Sequence, residues 1–131
     1  GTGPQRVLVV EDDQGTREML RRTLEKEGWQ VTEAENGRVG LEKLSGGIPA
    51  LILLDLMMPE MDGFEFMEAL RERPDGRLVP VVVITAKDIT EEDRRRLNGQ
   101  VAKILQKGTT SSEELLAELR ALSGKDRGAG I

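Results

Sequence analysis

The chain has 131 residues, 24 acidic and 19 basic side chains and a formal net charge of -5, which fits one domain built round a single core and leaves no room for a second. It has no cysteine and no histidine, so disulfides, thiolate metal sites and the commonest general base and zinc ligand are excluded. The acidic balance argues against direct binding of nucleic acid, and the basic triplet Arg94-Arg95-Arg96, with no second basic or aromatic cluster after it, reads as a solvated helix face.

Residues 1–4 begin Gly1-Thr2-Gly3 without an initiator Met and are expected to be a cloning scar or linker, followed by a domain at 5–122 and a flexible tail at 123–131. The first strand is expected at Arg6–Val10. A helix over 14–27 follows, with Met19, Leu20 and Leu24 near helical spacing and Gly28 at its end. A short strand at 30–33 leads to a short helix at 36–44, weakened by Gly37 and Gly40, and Ser45-Gly46-Gly47 turns the chain.

The third strand, at 50–54, contains Leu51-Ile52-Leu53-Leu54, a continuous apolar run of the kind found in strands covered on both faces. It runs into Asp55, and Pro59 and Gly63 end it. The third helix starts at Asp62-Gly63-Phe64-Glu65, where Asp62 can cap and Glu65 can reach back; Phe66, Met67 and Leu70 are its buried stripe. Pro80 opens a fourth strand at 81–84, where a missing N–H does least harm. A very polar fourth helix at 90–97 precedes a fifth strand at 101–105. Thr110-Ser111-Ser112-Glu113 offers a second capping box before Leu115, Leu116, Leu119 and Leu122.

Five alternations of apolar run and amphipathic stretch predict an α/β fold: an open five-stranded parallel sheet with right-handed crossovers and helices on both faces. No window reaches about 18 apolar residues and no basic-then-apolar leader opens the chain, so a cytoplasmic protein with no direct membrane contact is expected.

In a parallel sheet Glu11-Asp12-Asp13, Asp55, Thr85 and Lys107 all emerge at the carboxyl edge. Clustered carboxylates repel and resist ionisation unless a cation neutralises them, and without His or Cys the hard oxygen donors point to Mg²⁺ or a similar ion. A divalent ion, a hydroxyl and a lysine round one acid make sense if a tetrahedral dianion is held there, each bonding a different oxygen. Asp55 would then be a nucleophile forming an acyl phosphate. Asp13 has two readings, metal ligand or cap of the first helix, and capping is favoured.

The quoted residues resemble the receiver domains of two-component response regulators over roughly residues 5 to 122. The resemblance rests on Val9-Val10-Glu11-Asp12, Asp55-Leu56-Met57-Met58-Pro59 with Met61-Asp62-Gly63, Thr85-Ala86 and Lys107; the successive steps from Asp12 to Asp55, from Asp55 to Thr85 and from Thr85 to Lys107 are 43, 30 and 22 residues. It implies the flavodoxin-like strand order 2-1-3-4-5. It also implies that Asp55 takes a phosphoryl group from a phosphohistidine on a cognate histidine kinase or phosphotransfer protein. Asp12, Asp55 and the Met57 carbonyl would bind Mg²⁺, with Glu11 acting through water. Thr85 and Lys107 would bond the phosphoryl group, Ala86 would leave it room, and Met57 and Lys87 would tune its lifetime. The output would be a switched surface read by a downstream protein, and the only chemistry would be the domain's own phosphorylation and dephosphorylation. The absent start Met favours a piece of a hybrid kinase or larger regulator slightly over a stand-alone one.

Three positions depart from the family pattern. Gly108 replaces a proline often joined by a cis bond, so a trans Lys107-Gly108 peptide is expected. Ile104 replaces the Tyr or Phe coupled to the threonine. Ala50 stands where an acid often precedes the third strand and carries no assigned role. Two alternative readings compete with this one: a Mg²⁺-dependent phosphohydrolase, which would need a second acid where Met57 stands, and a pseudo-receiver kept for docking alone. A flavodoxin-like phosphate cradle is opposed by the acids after the first strand.

Overall fold

The computed structural model describes residues 5–97 and 99–123; the scar expected at 1–4 and the tail beyond Ser123 lie outside the described residues. The apolar runs become strands β1 (Arg6–Val10), β2 (Gln30–Ala34), β3 (Leu51–Leu54), β4 (Val81–Thr85) and β5 (Lys103–Gln106). All pair in parallel in the order β2-β1-β3-β4-β5. The helices are α1 (Gln14–Lys26), α2 (Gly37–Lys43), α3 (Gly63–Glu72), α4 (Glu91–Leu97) and α5 (Ser112–Ser123). No helix among the described residues is long and apolar enough to cross a membrane.

Strand alternation divides the core into two layers. Val7, Val9, Leu51, Leu53 and Val82 meet Leu20 and Leu24 of α1 and Leu115 and Leu119 of α5, with Trp29 among them. Leu8, Val10, Ile52, Leu54, Val81 and Val83 meet Phe66, Met67 and Leu70 of α3 and Leu97 of α4. β3 is buried along its whole length, as its unbroken apolar run requires.

Most other element ends lie within one residue of expectation, and two differences have a visible cause. β5 begins at Lys103, because its register with β4 starts at Val82; Ala102 only leads in, donating its N–H to Val81 O at 2.8 Å. The cap before α5 is one residue later: Ser111 Oγ accepts from Glu114 N, and Ser111 N donates to Glu114 Oε1, both at 3.1 Å. The Asp62/Glu65 box at α3 is present as expected.

Candidate functional site

Backbone pairing carries past the strand ends and fixes the site. Glu11 N donates to Ala34 O at 3.0 Å, Asp55 N to Val10 O at 3.0 Å, and Lys107 N to Thr85 O at 2.9 Å. The segments after β1, β3, β4 and β5 are thereby held together at the carboxyl edge.

Glu11, Asp55 and Thr85 are buried, at 1 %, 4 % and 0 % exposure, while Asp12 is exposed. Carboxylate oxygens of Glu11, Asp12 and Asp55 lie within 4.8 Å of one another. Lys107 Nζ reaches Glu11 Oε1 at 2.6 Å and Asp55 Oδ2 at 3.1 Å. The lysine therefore bridges two carboxylates, a pairing that sequence spacing does not reveal. Asp55 Oδ1 accepts from Met57 N at 3.1 Å, and Thr85 Oγ1 accepts from Lys87 N at 3.2 Å. The Met57 side chain is exposed beside a cleft of about 440 Å³ that Asp12, Pro59, Phe64 and Lys87 also line.

Burial pushes Glu11 up to about 7, against the lowering effects of Lys107 and the Asp13 N–H, and the charge on Asp55 adds to the rise. Burial opposes the charge on Lys107, but its hydrogen bonds and Coulombic contacts with Glu11 and Asp55 hold its pKa above the ordinary value. Glu11 Oε2 accepts from Asp13 N at 3.0 Å. The buried Oε1 meets only the Lys107 ammonium. Three carboxylate oxygens gathered within 4.8 Å, two of them on buried residues, suit a hard divalent cation.

Asp13 settles its two readings as an N-cap: Oδ2 accepts from Thr16 N at 2.8 Å and from Thr16 Oγ1 at 2.6 Å. The Thr16 hydroxyl and amide hold its carboxyl below the usual range. At Gly63 a Cβ would lie 2.6 Å from Asp55 O and 2.7 Å from Leu56 Cα, so only glycine lets α3 start against the acid's own backbone. The Lys107-Gly108 peptide is trans, as expected, and Gly108 has φ 86°.

Two supports were not foreseen. Glu60 takes φ 64° in the loop after Asp55, and Asn36 Nδ2 donates to its Oε2 at 2.8 Å while Asn36 Oδ1 caps α2 through Val39 N. Asp93, on α4, binds Lys87 Nζ through Oδ2 at 2.7 Å. The pattern Thr90-x-x-Asp93 signals the cap; nothing in it signals the lysine.

The model of the response regulator receiver domain family matches residues 7–120. Response regulator MprA of Mycolicibacterium vanbaalenii is 40% identical over 130 residues, covering 97% of this chain and 55% of that protein. The chain thus spans about half the length of the curated relative. The receiver domain of a signal transduction histidine kinase from Syntrophus aciditrophicus superposes with a TM-score of 0.82 at 31% identity, covering 92% of this chain and 91% of the other. The chemotaxis protein CheY4 of Vibrio cholerae gives 0.84 at 29% identity, covering 92% and 99%.

Proposed function

The chain belongs to the response regulator receiver domain family of two-component signalling, and we propose that within it Asp55 is the phosphoryl acceptor. The observation that carries this is the meeting of Asp55 with two further carboxylates and Lys107 at one sheet edge, with Thr85 ending the adjacent strand. An Asp55 carboxylate oxygen attacks the phosphorus of a phosphohistidine. The new P–O bond forms as the P–N bond breaks, and that bond's electron pair stays with the imidazole nitrogen.

Lys107 moves from its carboxylate partners to a phosphoryl oxygen, and the Thr85 hydroxyl donates to another. Asp12, Asp55 and the Met57 carbonyl would hold Mg²⁺ directly, and Glu11 through water. When bound, the ion offsets the repulsion between these carboxylates and the incoming phosphoryl oxygens. The backbone N–H of Met57 keeps one Asp55 oxygen oriented. Water later cleaves the acyl phosphate, so the domain acts only on itself. The donor is a cytoplasmic histidine kinase or phosphotransfer protein, and a protein partner reads the switched surface.

The test is incubation with Mg²⁺ and acetyl phosphate followed by intact mass, beside Asp55→Asn. The parent gains one phosphoryl group and the variant none. A parent that gains none, or a variant that gains one, refutes the assignment.

A further inference from the structure

The segment from Thr85 to α4 carries a chain of polar ties. Lys87 N donates to Thr85 Oγ1 at 3.2 Å, and Lys87 Nζ reaches Asp93 Oδ2 at 2.7 Å. The same Asp93 oxygen accepts from Thr90 N at 3.1 Å, while Thr90 Oγ1 accepts from Asp93 N at 3.0 Å. One carboxylate therefore closes the first turn of α4 and binds the loop lysine.

That helix has little else to hold it. Of its seven residues only Asp93 and Leu97 are buried. On its side, Arg96 lies 4.0 Å above the Phe64 ring and 3.8 Å from Glu68 Oε1. Phe64 and Lys87 line the cleft that Asp12 and Met57 also line, so two of the three lateral ties of α4 end at the mouth of the site.

We propose that the Lys87–Asp93 ion pair is a latch: a phosphoryl group on Asp55 draws Lys87 away from Asp93, and the first turn of α4 opens. This rests on Asp55 being the phosphoryl acceptor. A phosphoryl group brings about 1.5 to 2 negative charges against one on Asp93. The lysine has a flexible four-carbon stem and three donors and lines the cleft beside the site, so it can exchange one anion for the other. Turning the Thr85 hydroxyl toward the same group withdraws the acceptor of Lys87 N and frees the loop further. Asp93, only 7 % exposed, is then left as a buried charge without a cation, which is relieved by opening the helix start to water. Where an aromatic would couple to Thr85, Ile104 offers no polar tie, and the loop supplies one.

Hydrogen exchange of peptides over residues 88–97, read with intact mass on the same samples, tests the latch. In the parent, phosphorylation speeds exchange of the α4 amides by about fivefold, the factor expected for losing one charged pair near the surface. Asp93→Asn keeps a capping oxygen but not the charge; its α4 exchanges at the faster rate before any donor is added, and phosphorylation changes it little. Lys87→Met does the same from the other end. Exchange in β1 and β3 stays as slow as in the parent, which separates the latch from general loosening. A parent that gains the phosphoryl group with α4 unchanged overturns the latch and leaves the acceptor reading intact, as does an Asp93→Asn variant that behaves like the parent. A parent that gains no phosphoryl group overturns the acceptor reading, and the latch with it.

Discussion

At the scale of single residues, spacing identified the acids, the threonine and the lysine, but not how they pair. A sequence step shows which strand end a residue occupies; it does not show that Lys107 fills the gap between Glu11 and Asp55. The raised Glu11 has a measurable consequence. Its folded pKa, about 7, lies above the ordinary carboxylate value of 4.5, so the stability it contributes is fully present below about 4.5 and is lost as pH rises through about 7. In EDTA, urea unfolding of the parent should lose about 1–3 kcal/mol between pH 5 and 8 relative to Glu11→Gln. Added Mg²⁺ should restore part of that loss at pH 8 in the parent, because an ion bound only by the folded state stabilises it. Parallel pH profiles for the two proteins would sink this account of Glu11. Gly63→Ala tests the close approach to the acid. The added methyl meets backbone, which cannot step aside as a side chain can. A loss of about 2–4 kcal/mol in urea, together with slower uptake from acetyl phosphate, is expected; wild-type values for both would show that the loop yields freely.

At the scale of elements, legibility followed the number of competing frames. The α3 cap was readable because Asp62 and Glu65 offer one frame followed directly by the buried stripe. Thr110-Ser111-Ser112-Glu113-Glu114 offers two overlapping frames, and Ser111 with Glu114 forms the box that closes. β5 starts two residues later than the apolar Val101 suggests; pairing with Val82, a tertiary fact, decides where the strand starts. Arg71 could not be read as structural at all. From α3 its Nη1 donates to Gly76 O, Arg77 O and Val79 O at 2.9, 3.1 and 2.9 Å, and its Nη2 to Gln100 O. One guanidinium thus ties the loop before β4 to the turn before β5. Arg71→Met keeps the stem and strands those carbonyls, so a loss of about 2–4 kcal/mol with an unchanged urea m-value is expected. A change under about 0.5 kcal/mol would mean that water serves the carbonyls equally well.

At the scale of the molecule, the sheet lies between two core layers. α4 and Ile104 belong to one layer and Trp29 to the other. Trp29 immediately precedes β2, whose first residue donates Gln30 N to Gln5 O at 2.8 Å; it therefore lies at the amino edge, opposite Asp55. As the chain's one tryptophan, buried to 3 % exposure, it reports the α1 and α5 side without interference. Its emission should be the same with and without a phosphoryl group on Asp55, while α4 exchange changes. Unfolding is a different case, because neither layer has a core without the shared strands. Far-UV dichroism and Trp29 emission should lose signal at one urea midpoint. Leu119→Ala, a cavity at a fully buried α5 position, should lower both midpoints equally, by about 2–5 kcal/mol of stability. If the Trp29 transition moved alone in that variant, the layers would be separate cooperative units. A signal from Asp55 could then cross neither layer without partial unfolding. If both move together, the sheet stays one rigid body, and the response to a phosphoryl group is confined to segments that the core holds weakly, of which α4, with Leu97 as its one buried apolar residue, is the clearest case.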